Sequence, residues 1–425
     1  MFSILTSISL GSFGEISKKD AFDLLQQKGI KWRLINSISE DADIKLEEAG
    51  SAFKPKVQLA FKQFYAKINP VQYGGEDKTV IEQVGFGSTA LEMNWPLLDP
   101  AAKVELKVAQ IKASSSKQQV IQNQNELTAL MLFQFLSVQK LRRQLNVMDA
   151  NLEKSQLIFK LAQSKNKVGA GIHLDVARAK NLYELDRLKK INAFNKYLKS
   201  MHELATTLGV EKLPGPLEPL STKKLETEKL RTLLDSSLAN RGDLKSAELN
   251  LNAASEIASD SKKTIFPKLS LLGEVGTTQA TVLGLPARTA TGIVGIVLTI
   301  PLVSGGLLEA KKREALSFEN KAQLQLQQTR LEVLSQVKEA LEQILSTEEA
   351  LGAAENYVQT VKEESDIAEK RFSYGVSNIL EFTSSHANFS NAQETLTEAM
   401  FNFEAAKLNY YRTLGSFEGY FDDTK

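Results

Sequence analysis

The feature that most constrains the fold of this chain is a long stretch, Ala101 to Val168, that contains neither glycine nor proline. Directly before it, Asp99 is a favourable helix cap, and Pro100 suits the first helical position because its missing N–H would have no partner there. One helix over this stretch would be roughly 100 Å long at about 1.5 Å per residue. Helices of this length are unusual in globular domains and are typical of coiled coils or of tubes of helices.

A second long segment runs from Leu307 to Tyr374 with only Gly352 inside it, and shorter unbroken segments, 172–208 and 376–414, follow the two long ones. Apolar residues in the first long segment recur in the three-four rhythm of a coiled-coil seam. They are Val138, Leu141, Leu145, Met148 and Leu152. The last segment repeats the rhythm at Ala392, Leu396, Ala399, Phe403, Ala406 and Tyr410. The small residues in this seam predict close helix packing.

Four other segments alternate apolar and polar residues with period two, each over about ten residues. Two begin at Pro55 and Pro267, and two end at Trp95 and Ile300, each directly before a proline. The predicted apolar faces contain Val57, Leu59, Phe61 and Tyr65; Leu91, Met93 and Trp95; Leu269, Leu271, Gly273 and Val275; and Val294, Ile296, Leu298 and Ile300. Tilted strands of this length cross a bilayer, with lipid on one face and water on the other. The alternative is a soluble sheet, but four separate strands joined to such long helices would form a poor one.

Composition argues against several classes of function. Because 52 basic and 51 acidic residues nearly cancel, we expect no nucleic-acid binding through bulk charge. The absence of cysteine excludes disulfides, thiolate metal sites and cysteine nucleophiles. The three histidines are far apart, and no catalytic triad, paired-carboxylate or phosphate-loop pattern stands out, so we expect no enzyme, no cofactor and no metal site. No apolar run is long enough for a transmembrane helix.

The chain contains two copies of one pattern. Pro96-Leu97-Leu98-Asp99 opens the first long helix and Pro301-Leu302-Val303-Ser304 the second, while Leu208-Gly209 and Leu414-Gly415 end the two halves. Each repeat is predicted to hold two strands, a long helix, a turn and a shorter helix. We therefore predict an N-terminal segment with a first helix (1–50), repeat 1 (51–213), a linker and helix (214–262), repeat 2 (263–415) and a C-terminal tail (416–425).

Taken in order, these motifs resemble those of the TolC family of outer-membrane efflux proteins, over nearly the full chain. Strand-Pro-Leu entries occur at Trp95-Pro96-Leu97 and Ile300-Pro301-Leu302, and Ser304-Gly305-Gly306 follows the second. Arg241-Gly242-Asp243-Leu244 is similar to the family's Arg-Pro-Asp-Leu, with glycine replacing proline. Phe372–Phe382, FSYGVSNILEF, resembles the family's signature at a helix turn. Each motif is weak alone, and their order and spacing carry the resemblance.

Two features depart from the family pattern. Phe2–Gly14 is apolar and rich in small residues, like the central part of a signal peptide, but no basic residue precedes Lys18. We interpret it as a degenerate or truncated signal, as a disordered start, or as the result of a true start codon that lies upstream. The chain also lacks the cysteine to which some relatives attach a lipid, which argues against a lipid anchor.

The resemblance implies a mainly α-helical protein with membrane β-structure. It would be a homotrimer whose twelve-stranded β-barrel continues into a long α-helical barrel, located in the outer membrane with most of the chain in the periplasm. The strands also require an oligomer, because four strands cannot close a barrel and open edges in lipid leave backbone groups unpaired.

The implied function is a passive exit duct of a tripartite efflux or type I secretion system. Such a duct is opened at its periplasmic tip by an adaptor protein and driven by an inner-membrane pump. The alternative is a coiled-coil adaptor or structural protein that bridges the periplasm without a pore. The exported substrate and the type of pump stay open.

The resemblance also implies functional residues at the turn after each long helix, where such ducts dock an adaptor and close the tube. Glycines there can take positive φ. The predicted docking residues are Val168, Gly169, Ala170, Gly171, Tyr374, Gly375, Val376 and Ser377. The alternative for the glycines is a plain turn between helices.

The gate candidates are Asp175, Arg371 and Glu381. In a trimer each carboxylate would form part of a ring, which selects cations and can be bridged by Arg371. The alternative is that both are solvated acids, favoured by the dipole at a helix N-terminus.

Trp95, Pro96 and Pro301 are the predicted junction between barrel and tube. Trp95 suits an interfacial aromatic girdle. Proline is expected to end strand pairing there, because it has no N–H to donate.

Overall fold

A computed structural model of the chain describes residues 15–68, 82–169, 171–223, 241–261, 267–282, 285–302 and 305–423. The described residues form eight α-helices and four β-strands. The helices are α1 (Lys18–Lys28), α2 (Ile30–Ser51), α3 (Pro100–Lys167), α4 (His173–Leu208), α5 (Gly242–Ser261), α6 (Leu307–Ser373), α7 (Ile379–Leu414) and α8 (Glu418–Asp423). The strands are β1 (Lys56–Ile68), β2 (Glu82–Leu98), β3 (Lys268–Val282) and β4 (Leu285–Thr299). Phe2–Gly14, Ala170 and Ser304 lie outside the described residues.

The chain divides into two compact units. A strand unit comprises Ser39–Lys117 and Ser246–Leu326, and a helical unit comprises Met1–Ile38, Gln118–Lys245 and Gln327–Lys425. The two long helices α3 and α6 therefore contribute residues to both. Within the described ranges, no helix has an apolar stretch long enough to cross a membrane.

The strand unit contains one antiparallel sheet with the order β1-β2-β3-β4. Its register places Leu91 opposite both Leu59 and Val275, and Leu271 opposite Ile296. All four predicted apolar sets thus lie on one face of the sheet, as their period of two requires. Several members are more than half exposed, among them Phe61 and Val294. The opposite face carries Lys62 and Glu92, which form an ion pair.

One expectation for the strands is wrong. Pro96 does not end strand pairing, since β2 continues to Leu98 and Pro96 lies opposite Ser270 of β3. The register shifts between Pro96 and Leu98, as at a β-bulge. On the other side of β2, pairing with β1 ends at Asn94. Beyond Asn94, β2 has no β1 partner, so the missing N–H of the proline removes no bond from that ladder.

The start of α3 forms as predicted. The carboxylate of Asp99 accepts hydrogen bonds from the N–H groups of Ala101, at 3.1 Å, and Ala102, at 3.3 Å. Lys268, the first residue of β3, places its ammonium 3.0 Å from the same carboxylate. The cap therefore ties the beginning of α3 to the second pair of strands.

The helical unit has its core where the predicted seams meet. Val138 and Met148 are buried, as are Ala392, Phe403 and Tyr410, while the other seam residues are half-buried or buried. Side chains from α1, the segment after α4, and α8 complete this core. The coiled-coil rhythm in the sequence therefore does mark the packed sides of α3 and α7.

Equivalent positions of the two repeats adopt the same backbone conformation. Gly209 and Gly415 follow α4 and α7 with φ of +74° and +76°, the left-handed conformation that ends a helix. The Arg241 motif has a structural role, since Arg241 is buried and its Nε lies 3.0 Å from Asp243 Oδ1. At Gly242 a Cβ would lie 2.5 Å from the carbonyl oxygen of Gln118, so glycine permits close approach to α3.

Candidate functional site

The first predicted turn joins α3 to α4. Gly169 has a φ of +75°, which favours glycine, and its N–H donates to the Asn166 carbonyl at 3.2 Å. At Gly171, a Cβ would lie only 3.1 Å from the Cβ of Lys165. The turn therefore needs glycine at one position for its dihedral angle and favours it at the other for space.

The second predicted turn joins α6 to α7. Gly375 has a φ of +77°, and the N–H of Val376 donates to the Arg371 carbonyl at 2.9 Å. Asn378 caps α7, because its side chain accepts a hydrogen bond from the Glu381 N–H at 3.1 Å. The two turns thus differ: the second has a side-chain cap, whereas Ile172 at the first supplies none.

The fold brings the two turns together. The ammonium of Lys165, on the last turn of α3, donates to the carbonyl of Phe372 on the last turn of α6 at 2.7 Å. The same ammonium lies 4.8 Å from the centre of the Phe372 ring. Behind this contact, a small apolar cluster joins α3, α4, α6 and α7. Its buried members are Ile158, Ala162, Ala179, Phe372, Ile379 and Phe382.

Large apolar side chains at the turns point away from this cluster. Tyr374 is 82% exposed and Val168 is 78% exposed, and Val376 is also mostly exposed. Gly169 and Gly375 are exposed and leave open space where a side chain would be. Exposed apolar groups beside open glycine backbone are suited to contact with another protein.

The charged gate candidates lie on both turns, and among the described residues Arg371 and Glu381 pair with each other. Arg371 Nε lies 3.0 Å from Glu381 Oε1, and the two side chains are 50% and 43% exposed. This ion pair joins the end of α6 to the start of α7, within one hairpin. Asp175 lies in the first turn of α4, on the other hairpin, and its N–H donates to the Ile172 carbonyl. Arg371 therefore pairs with Glu381 within this chain.

Two features near the turns had no signal in the sequence analysis. Lys165 bonds a backbone carbonyl, an acceptor that every residue offers, so no residue pattern marks the contact. His386 Nε2 lies 3.2 Å from Asp186 Oδ2, with both side chains buried between α4 and α7. The two residues are distant in sequence, and only the packing of the helices brings them together.

The predicted junction residues lie at the base of the sheet. Trp95 is 39% exposed, and its indole N–H donates to the Phe53 carbonyl at 3.0 Å. Pro96 lies within β2, as described above, whereas Pro301 follows the end of β4 at Thr299. The indole of Trp95 thus exposes part of its apolar ring and uses its N–H in a hydrogen bond, as aromatic residues at membrane interfaces do.

Comparison with known proteins agrees with this architecture. A model of the family described as outer membrane efflux protein matches residues 48–210 and 233–416, most of the chain. The chain belongs to this family. As an outer membrane efflux protein it has a mainly helical fold with a four-stranded sheet, and its location is the outer membrane. The two matched segments correspond to the internal repeat found in the sequence.

Several relatives that match this chain are distant from it in sequence. This outer membrane efflux protein is 23% identical to the alkaline protease secretion protein AprF of Pseudomonas aeruginosa, over 94% of this chain and 85% of AprF. It is 21% identical to the outer membrane protein TolC of Escherichia coli, over 98% of this chain and 86% of TolC. The crystal structure of the Campylobacter jejuni CmeC outer membrane channel superposes with a TM-score of 0.77 at 16% identity, covering 96% of this chain and 90% of CmeC.

Proposed function

We propose that this protein is the passive exit duct of a tripartite efflux or type I secretion system. The observation that carries the proposal is the four-stranded sheet, which has one exposed apolar face and two strands, β1 and β4, at its edges. Each unpaired backbone group at a strand edge in lipid costs roughly several kcal/mol, so the two edge strands need further strands to pair with. Three copies would supply them in a closed twelve-stranded barrel.

The names of relatives support both kinds of export. AprF is named for secretion of a protease, and another relative, TtgC of Pseudomonas putida, is named as a toluene efflux pump outer membrane protein. We therefore keep the exported substrate and the pump type open. A coiled-coil adaptor without a pore is the weaker alternative, because such a protein needs no sheet with an apolar face of bilayer length.

In the proposed duct, the two turns form the periplasmic end. An adaptor would dock on Val168, Gly169, Ala170, Gly171, Tyr374, Gly375, Val376 and Ser377, and Asp175, Arg371 and Glu381 would contribute to closure. Trp95, Pro96 and Pro301 would mark the junction of barrel and tube. An inner-membrane pump would drive export. The segments 1–50, 51–213, 214–262, 263–415 and 416–425 remain our proposed division of the chain.

Purified protein tests the proposal directly. Extracted into detergent, it should have the mass of three chains by light scattering, and added to planar bilayers it should form channels. The alternative of a pore-free adaptor predicts no conductance at any concentration. A stable, water-soluble monomer would contradict the proposed duct.

A further inference from the structure

The face of the sheet that carries Lys62 and Glu92, which we call the polar face, changes character along its height. The row at Lys62 crosses all four strands and is polar throughout: Lys62, Ser88, Thr278 and Thr289. The next row on this face, further from the helices, consists of two phenylalanines and two alanines: Phe64, Phe86, Ala280 and Ala287. Phe64 and Phe86 are 57% and 41% exposed. The polar face therefore includes an apolar row near the end of the sheet that lies away from the helices.

The apolar face of the sheet changes in the opposite sense at nearly the same height. Its row beside the phenylalanines is polar apart from one glycine: Gln63, Gly87, Gln279 and Arg288. Two rows closer to the helices, the same face has Leu59, Leu91 and Val275 in line. A barrel needs an apolar outer face only where lipid surrounds it, so the lipid-facing band ends at the polar row.

Two aromatic residues indicate that this end of the band lies at a membrane interface. Trp95 follows the Asn94–Lys56 pair by one residue, and Tyr65 lies nine residues beyond Lys56 on β1. At about 3.4 Å per residue and a tilt of about 40°, Tyr65 would lie roughly 25 Å from the level of Trp95. The apolar band of a membrane barrel has this height, with aromatic residues at both edges. Since the helices begin on the Trp95 side, Tyr65 and the neighbouring Phe64 lie at the outer interface.

In the proposed trimer, the polar face would line the lumen of the barrel. Twelve strands about 4.8 Å apart and tilted about 40° enclose a circle roughly 24 Å across between backbones. Two phenyl rings from each copy would extend into this circle at one level, whereas the next row toward the helices offers hydroxyl groups. The alanines of the phenylalanine row leave gaps beside the rings, so water and small ions retain a path. The row therefore narrows the lumen and makes its wall apolar at this level.

An apolar constriction acts differently on different solutes. A bulky charged molecule must give up part of its hydration beside the phenyl rings, and it finds no polar partner there in exchange, which is unfavourable. An apolar molecule gains instead, because contact with the rings removes apolar surface of both partners from water. The row can thus separate solutes by their polarity as well as by their size.

We infer that Phe64 and Phe86 of three copies form an apolar collar at the outer mouth of the duct. The collar slows the entry of bulky hydrophilic solutes from outside, and it gives exported molecules with apolar groups a surface to contact as they leave. The inference rests on the proposed duct and adds a filter at the end opposite to the two periplasmic turns. The alternative is a cross-strand aromatic pair that only stabilises the sheet.

Thiol labelling tests the collar, because the chain has no cysteine of its own. Thr278→Cys places a thiol on the polar face, one row closer to the helices than Phe86. A sulfonated dye maleimide too large for general porins, added to intact cells, should label this thiol slowly. Phe64→Gln/Phe86→Gln has polar side chains of similar length. In this variant labelling should be about tenfold faster, as expected for a barrier lower by about 1.4 kcal/mol.

Three controls accompany this experiment. Phe64→Leu/Phe86→Leu keeps the row apolar and should be labelled nearly as slowly as the unmodified row. Phe194→Gln makes the same chemical change at an exposed phenylalanine of α4 and should leave the rate unchanged. After denaturation all variants should be labelled equally, which shows that they carry the thiol in equal amounts. If the double glutamine variant formed no trimer, Phe64→Gln and Phe86→Gln would be measured singly, each with a smaller expected increase.

Two results would overturn the collar. Equal labelling rates in the glutamine variant and the unmodified row would leave only the stabilising aromatic pair. Fast labelling of the leucine variant with slow labelling of the glutamine variant would assign the barrier to side-chain size rather than to apolarity.

The proposed duct and the collar fail by different observations. Protein with the mass of a single chain in detergent would refute the duct. Protein with the mass of three chains that is labelled rapidly at Thr278→Cys, with both phenylalanines in place, would leave the duct intact and refute the collar alone.

Discussion

Lys165 offers the sharpest test of the proposed gate, because its bond to the Phe372 carbonyl joins the two hairpins of one chain. Opening the periplasmic end by separating the hairpins would break this bond. The substitution Lys165→Met removes the donor and keeps an apolar stem that can cover the Phe372 ring. Lys165→Arg keeps a charged donor and should retain part of the contact.

The magnitude follows from the geometry. A hydrogen bond from a charged group contributes about 1.5–3 kcal/mol when buried, and Lys165 is only partly buried, so we take about 1 kcal/mol per chain. Three chains give about 3 kcal/mol for concerted opening. Since about 1.4 kcal/mol corresponds to a factor of ten, the open population should rise by roughly 100-fold.

Single-channel recordings in planar bilayers measure this effect. Lys165→Met should spend far more time in the high-conductance state, and cells that carry it should become sensitive to antibiotics that are otherwise excluded. Lys167→Met is the matched control, since Lys167 is an exposed lysine two residues away and carries the same charge. Equal conductance of Lys165→Met, Lys167→Met and the unmodified protein would refute the role of Lys165.

Three further predictions concern the sheet and the turns. Leu91→Arg, on the apolar face, should destabilise the protein by about 2–4 kcal/mol near the bilayer midplane and impair assembly. Gln58→Arg, beside Glu92 on the other face, should be tolerated. If both variants lost the trimer equally on gels, a soluble sheet would be favoured. Arg371→Ser or Glu381→Ala breaks a half-exposed pair worth about 0.2–1 kcal/mol per chain. Because this pair lies within one hairpin, conductance should rise only through loosening of the second turn, less than in Lys165→Met, with assembly intact. Unchanged conductance in both variants would indicate that Arg371 and Glu381 are only solvated residues at helix ends. Gly375→Trp should abolish export in cells without raising conductance, because the indole would occupy the proposed docking surface and tryptophan disfavours the positive φ at this position. Normal export by this variant would show that Gly375 is not part of the docking surface.

The sequence alone determined the elements that depend on local periodicity. A period of two placed the apolar residues of each strand on one side of that strand, and three-four spacing identified the buried sides of α3 and α7. The Asp99-Pro100 cap and the glycine-ended helices could be predicted because their physical cause lies within a few residues. The repeat and the order of motifs then indicated the family.

The tertiary structure decided what depends on partners distant in the chain. Pro96 stays in the sheet because β1 ends opposite Asn94, and no feature of Pro96 itself reveals where a neighbouring strand stops. The bond from Lys165 to a backbone carbonyl has no sequence pattern, and the pairing of Arg371 with Glu381 depended on how the second turn is folded. Helix and strand periods are encoded residue by residue, whereas the partner of a side chain is set by the packing that brings separate segments together.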